Sequence, residues 1–321
     1  MIKVGLIGGW HVHAKGYGTM ISDHPDCTLS GVWDDDVVRG KELAEELNCP
    51  FYSDADELIA LSDGVIITSA TNQHPELISK AAQQKKNIFT EKVLAVTVKE
   101  ALQIKQTIEE NGVHFTISFP FQAGAGNRAI KKAVEEKLLG TITHLRIRNA
   151  HGGSSDDWLP PHFYDKEACG GGAMMDLGAH PMYLIQWLLG MPKTIVSAFT
   201  NMKERDVEEN AVCVMTFEGG AIAVSETSFV SPRSPYSLEI SGTNGFLKVK
   251  DSEAYGIING EEKTIQSEPG IHPMEYWIQS ILNNTENDCY GIDEAVRLTA
   301  IMEAAYLADE QNKIVELEKI I

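Results

Sequence analysis

The sequence predicts an α/β chain in two parts: a parallel sheet with helices on both faces, then an α+β domain built on a large, mostly antiparallel open sheet. Two observations carry this. Over residues 1–120, short apolar runs alternate with helical patterns of a dozen or more residues, and parallel neighbours require crossovers of that length. Over 121–321, strand patterns follow one another with only turn signals between them. The length of 321 residues accommodates two domains.

In the first part, "IKVGLIG" reads as a buried strand, and "TLSGVW" as a second, followed by the helical "VVRGKELAEELN". "GVIITS" is a third, followed by "HPELISKAAQQK"; "NIFTE" is a fourth, followed by "TVKEALQIKQTIEENG"; "VHFTIS" is a fifth. Near-continuous apolar strands fit a sheet covered on both faces. "FPFQAGAGN" marks the junction. Beyond it come a helix over 128–139 and the alternating strand "TITHLRIRNAH". From Thr194 a series of strands follows, with "FEGGA" and "NGEE" as hairpin punctuation. Helices over 273–284 and 293–309 close the chain. The last is apolar on nearly all sides, so it is expected to be packed between elements, turned back toward the first domain.

Composition excludes several classes. Hydrophobic residues make up 43% and charged residues 23%, as in ordinary globular chains. The formal net charge of −19 disfavours nucleic acid and anionic membranes, which need clustered Lys and Arg. Five scattered cysteines form no CxxC pair and read as reduced thiols. No apolar run reaches the ~18 residues of a membrane span, and the N-terminus turns polar too soon for a signal peptide. The expected location is the cytoplasm.

A strand, a glycine turn and a helix at the N-terminus is where a dinucleotide fold holds its pyrophosphate. Here the turn reads Gly8-Gly9-Trp10-His11-Val12-His13. Only the first glycine of GxGxxG is in register; Trp10 and His13 take the places of the other two. Trp10 either shields a cofactor or blocks it. His11 and His13 either donate to phosphate oxygens and substrate or are polar residues of a helix's first turn. The second strand ends at Asp34, placed to accept hydrogen bonds from an adenosine ribose. Asp36 suits a helix cap equally well. With no Arg over 34–38, NAD is expected before NADP.

"FTEKVLA" follows the fourth strand, with Lys92 at the carboxyl end where open α/β sheets bind ligands. Together with "MIKVGLIGG", Asp34, "TSATNQHPELISKAAQQKKNIFTEK" and "GGGAMMDLGAHPMYLIQWLLG", it gives a chain that resembles the glucose–fructose oxidoreductase / inositol dehydrogenase / MocA family over nearly its whole length. The resemblance implies a Rossmann domain followed by an open-sheet domain whose exposed face makes a homodimer or homotetramer. It implies an NAD(P)-dependent dehydrogenase acting on the CH–OH group of a sugar or polyol. The family's catalytic lysine matches Lys92, its acid Asp176 and its imidazole His180. Asn72, His74 and Glu91 match cofactor-side positions, beside Gly8, Gly9, Trp10, His11 and Asp34. The chain departs from the pattern in its glycine turn, at Val93 in place of a proline, and at Tyr183 in place of an acid. Val93 is expected to relax the lysine loop, and Tyr183 to change the substrate.

On a helix, Asp176 and His180 at i and i+4 share a face, and Tyr183 continues the stripe. A histidine can take the hydroxyl proton as hydride leaves, and Lys92 can stabilise alkoxide charge. In "HGGSSDDWLPPHFYDKEACGGG", Trp158 and His162 are candidate sugar contacts, with Tyr183 a third. Rival readings are a non-catalytic dinucleotide- or sugar-binding regulator of the same fold and an NAD-cycling glycosidase. No metal is expected, since Asp176, His180, His151 and His162 lack tight ligand spacing.

Overall fold

The computed structural model describes residues 1–233, 236–285 and 289–320. Contacts divide the chain into two units: Met1–Ser118 with Pro273–Val296, and Phe119–His272 with the residues from Arg297 on.

The first unit runs β1 (Ile2–Ile7), α1 (Ala14–Asp23), β2 (Cys27–Trp33), α2 (Val37–Glu46), β3 (Phe51–Tyr52), α3 (Ala55–Leu61), β4 (Gly64–Ile67), α4 (His74–Gln83), β5 (Asn87–Thr90), α5 (Val98–Asn111) and β6 (Phe115–Ile117). Its six strands are parallel, in the order β3-β2-β1-β4-β5-β6. The sequence reading has five; β3 and α3 are additional. A two-residue edge strand is too short to show a period, and its partner helix has no run long enough to stand out. Caps fix the helix starts. Asp36 accepts the Val38 and Arg39 N–H groups, which settles its role, and Thr97 and Glu100 form a capping box on α5. Strand order reverses between β1 and β4, the switch point at which such sheets bind ligands.

The second unit contains α6 (Ala125–Glu135), β7 (Ile142–Ala150), α7 (Lys166–Cys169), a π-helical turn (Met174–Gly178), α8 (Ala179–Leu189), β8 (Thr194–Thr200), β9 (Asn210–Thr216), β10 (Ile222–Ser228), β11 (Ser237–Gly242), β12 (Gly245–Lys250), β13 (Glu253–Ile258) and β14 (Glu261–Gln266). Then come α9 (Pro273–Asn283), α10 (Ile292–Gln311) and β15 (Val315–Glu316). The nine-stranded sheet runs β14-β13-β12-β11-β7-β10-β9-β8-β15, antiparallel except where β7 meets β10. The β13–β14 hairpin turns at Asn259-Gly260, both at positive φ as a tight two-residue turn requires.

Along β9 burial alternates: Ala211, Cys213 and Met215 face inward while Val212 and Val214 stay exposed. Val214 pairs with Val196 on β8 and Val224 on β10, so an apolar row crosses the open face. Helix α10 is buried along most of its length, from Ala295 to Ala308.

The division of the chain differs from a single break near residue 120. Met274, Trp277 and Ile278 of α9 are buried among Val4, Leu6, Ile66 and Phe89, so α9 completes the core of the first sheet. Trp277 is fully buried there, its ring packed on Gly64. Trp277→Ala should therefore destabilise the first unit by ~3–5 kcal/mol, the range for removing a buried aromatic. Urea unfolding followed by circular dichroism measures it; a loss below ~1 kcal/mol contradicts this assignment of α9.

Candidate active site

The turn after β1 is tied to the end of β4. The Thr68 hydroxyl donates to the Gly8 carbonyl, and the His11 N–H donates to the Thr68 carbonyl (3.0 Å). Gly8 has φ +97°, and a Cβ there would overlap the Ser69 backbone, so only glycine fits. Trp10 is buried. Asp34, at the tip of β2, is 2% exposed. Its carboxylate accepts the Gly9 N–H and the Asp36 N–H (2.7 Å). A glycine turn at the switch point, a helix beginning immediately after it and an acid at the β2 tip are the parts a dinucleotide needs, so these residues fit that cofactor.

Arg39 grips Asp34 bidentately, Nε to Oδ2 at 3.0 Å and Nη2 to Oδ1 at 2.6 Å, and reaches Asp35 at 2.7 Å. A guanidinium therefore stands at this strand tip, one residue past the arginine-free stretch 34–38. An Asp–Arg pair separated by about one helical turn was the available signal.

At the end of β5, Glu91 and Lys92 are both buried. Glu91 Oε1 accepts from Tyr17 Oη and lies 2.9 Å from His13 Nδ1, and Oε2 accepts the Lys92 N–H at 3.1 Å. Burial pushes the Glu91 carboxyl up, but His11, His13 and Lys92 outweigh it and hold the group well below the usual carboxylate range. The Lys92–Val93 peptide is cis although no proline follows, so Val93 keeps the bend that its lack of a ring was expected to relax. His74 is buried, and its Nδ1 must carry the proton because its partner is the Val93 carbonyl (3.0 Å). Burial lowers its pKa, against that hydrogen bond. Asn72 is exposed in the short turn before α4.

In the second unit, "GGGAMMDLGAHP" does not form one uninterrupted α-helix. Residues Met174–Gly178 make a π-helical turn holding Asp176, and α8 begins at Ala179, so His180 lies in its first turn. Such turns recur at functional sites. Side chains from the sheet anchor this one: Asn149 donates to the Leu177 carbonyl (3.1 Å) and Thr227 to the Ala173 carbonyl (3.2 Å). Glu208 accepts the N–H groups of Gly172 and Met174 and the Tyr306 hydroxyl (2.8 Å), which itself accepts the Met175 N–H (3.1 Å). Gly171 and Gly172 are glycines because a Cβ would overlap the Tyr306 hydroxyl and the Glu208 carbonyl. Their small size serves packing.

His180 is 6% exposed, stacked on Phe121 at 4.5 Å, with Nδ1 2.9 Å from Tyr183 Oη. That hydroxyl also accepts the Phe121 N–H (3.0 Å), and the Tyr183 ring stacks on Phe119. Tyr183 is fully buried. It orients His180 and presents no surface to a substrate, which corrects its assignment as a substrate contact. Trp158 is 53% exposed and tilted over His151, and His162 is half-buried beside Phe163. Arg128 lies on the exposed side of α6.

A parallel sheet of this order, with a glycine turn and an acidic tip, defines a dinucleotide-binding fold. Residues 2–119 match the oxidoreductase family with an NAD-binding Rossmann fold, and residues 127–248 match the GFO/IDH/MocA C-terminal domain. The chain belongs to the GFO/IDH/MocA family. It is 30% identical to the myo-inositol 2-dehydrogenase of Thermotoga maritima over 241 residues, 71% of this chain and 68% of that one. It is 26% identical to the 2,7-anhydro-N-acetylneuraminate hydratase of Escherichia coli over 273 residues, 82% of this chain and 72% of that one. A levoglucosan dehydrogenase in complex with NADH and levoglucosan has the same fold, with a TM-score of 0.84 at 19% identity over 98% of this chain and 99% of that one. Among the described residues, no helix is long and apolar enough to cross a membrane.

Tyr306→Phe removes a hydroxyl that both donates to half-buried Glu208 and accepts from the N–H of buried Met175. It should lower stability by ~1–3 kcal/mol in denaturant unfolding, the cost of stranding a buried donor; an unchanged midpoint would contradict the anchoring of the π turn.

Proposed function

We propose that the protein is a dehydrogenase that moves a hydride between NAD and a secondary hydroxyl of a sugar or inositol-like polyol. The observation that supports this most is the fixing of His180. Phe121 stacks on its face and Tyr183 holds Nδ1, so with the proton on Nδ1 the Nε2 lone pair is left as the base. In this reading His180 takes the hydroxyl proton, Lys92 stabilises the alkoxide charge, and Asp176 hydrogen-bonds substrate or biases His180 toward its basic form. A bound nicotinamide supplies the hydride acceptor. Asn72, His74 and Glu91 serve the cofactor side, and Trp158 and His162 offer sugar contacts. For the cofactor, three acids (Asp34, Asp35, Asp36) against one Arg39 favour NAD over the 2′-phosphate of NADP.

A second reading has the same residues cycle tightly bound NAD through a transient ketone with no net oxidation. The hydratase relative supports it. We also place the protein in the cytoplasm, with Cys27, Cys49, Cys169 and Cys213 as free thiols, and assign the open sheet face to a homodimer or homotetramer. The row of Val196, Val214 and Val224 supports the latter, because an apolar stripe on a sheet face is a favoured association surface.

A panel of inositols, aldoses and sugar acids, with NAD and NADP in separate wells, tests the main reading by absorbance of the reduced cofactor. His180→Ala should lower kcat by ~10²–10⁴-fold and Lys92→Ala by ~10²–10³-fold, with dinucleotide binding kept in both. Full activity in either variant refutes its role; product formed without reduced cofactor favours the cycling reading. In light scattering, Val212→Glu combined with Val214→Glu should convert the oligomer to monomer; a native chain that is already monomeric overturns the assembly.

A further inference from the structure

A pyrophosphate-binding glycine turn needs no imidazole, yet the first turn here carries two. His13 occupies the place of a glycine in the GxGxxG pattern. Its ring is directed at Glu91 at the end of β5, Nδ1 to Oε1 at 2.9 Å, and His11 Nδ1 lies 3.7 Å from the same oxygen. The two imidazole rings are 4.6 Å apart, and one ligand atom from each of the three residues falls within 4.8 Å of the others.

We infer that His11, His13 and Glu91 form a binding site for one divalent transition-metal ion of the zinc or cobalt class. Two ligands about 2.0–2.2 Å from one ion, at tetrahedral or octahedral angles, stand about 2.9–3.5 Å apart. The two Nδ1–Oε1 separations, 2.9 and 3.7 Å, lie at the lower end of that interval and just above it, and His11 Nδ1, which accepts the His13 N–H at 3.2 Å, gives up that hydrogen bond when its imidazole turns to the ion. The donor set is two imidazoles and a carboxylate, which suits zinc, cobalt or nickel and disfavours magnesium and calcium. Three protein ligands leave a further position for water or an anionic oxygen.

The surroundings are those of a held ligand. Glu91 is 1% exposed, fixed through Oε1 by Tyr17 and through Oε2 by the Lys92 N–H. Tyr17 is in turn 2.8 Å from the Ser118 hydroxyl. Tyr17 lies four residues after His13, so the start of α1 contributes a ligand and the group that positions another. The His13 side chain is 46% exposed, which gives an ion a way in. This site neither requires the dehydrogenase reading nor follows from it.

The test is metal binding by the full-length chain without a histidine tag, stripped with chelator and titrated with Co²⁺ in the absence of dinucleotide and polyol. The expected result is one Co²⁺ per chain with visible d–d absorption, displaced by Zn²⁺. His13→Ala should weaken Co²⁺ binding about tenfold or more, and His13→Asn, which keeps a polar residue at the start of α1, carries the same expectation. His24→Ala, remote from the cluster in sequence and paired with Glu275, should bind as the native chain does. Absence of the absorption band, or equal affinity in the native chain and both His13 variants, overturns the site. Co²⁺ binding in a chain that oxidises no polyol would count against the dehydrogenase alone.

Discussion

Parallel strands cannot be joined by tight turns, and that constraint arranges the first unit. Each strand must be followed by a crossover before the next begins, so the carboxyl ends of β1, β2, β4 and β5 lie along a single edge. Buried polar groups are attached to those ends: His11 after β1, Asp34 after β2, Thr68 after β4, and Glu91 with Lys92 after β5. The residues are far apart in sequence and adjacent only because the sheet is parallel. The helices are secured by local chemistry, a cap by Asp36 and a capping box at Thr97 and Glu100, so edge and helices agree on one arrangement.

Charge at that edge is balanced by pairing. Asp34 is buried under a bidentate arginine and two backbone N–H groups, and Glu91 under a tyrosine hydroxyl, a backbone N–H and an imidazole. A desolvated carboxylate without such partners is costly. The second unit solves a related problem at the π turn. Widening a helix by one residue disrupts its ladder of backbone hydrogen bonds, and here Asn149, Thr227, Glu208 and Tyr306 take up nearby N–H and carbonyl groups.

Much of this was legible in the sequence because it rests on period and punctuation. The apolar runs of β1, β4 and β5, the alternation of β9 and the Asn259-Gly260 turn all announce themselves within a few residues. What escaped has no local period. The strand Phe51–Tyr52 is two residues long. Arg39 is a helix residue whose partner is on the preceding strand tip. Tyr183 looks like a continuation of a site-facing stripe, yet its place behind His180 depends on Phe119 and Phe121 from a distant segment. The π turn has no signature in "GGGAMMDLGAHP", since its anchors come from β7, β10 and residues 208 and 306.

Helix α9 has a consequence for how the chain is made. The indole of Trp277 fills the core beside strands synthesised some two hundred residues earlier. On the ribosome, the six-stranded sheet therefore emerges with an apolar flank bare and must wait, unfinished, through translation of residues 119–272. Apolar surface left bare during synthesis is prone to aggregate, so the first unit, regular as its sequence reads, is exposed to that hazard until α9 arrives.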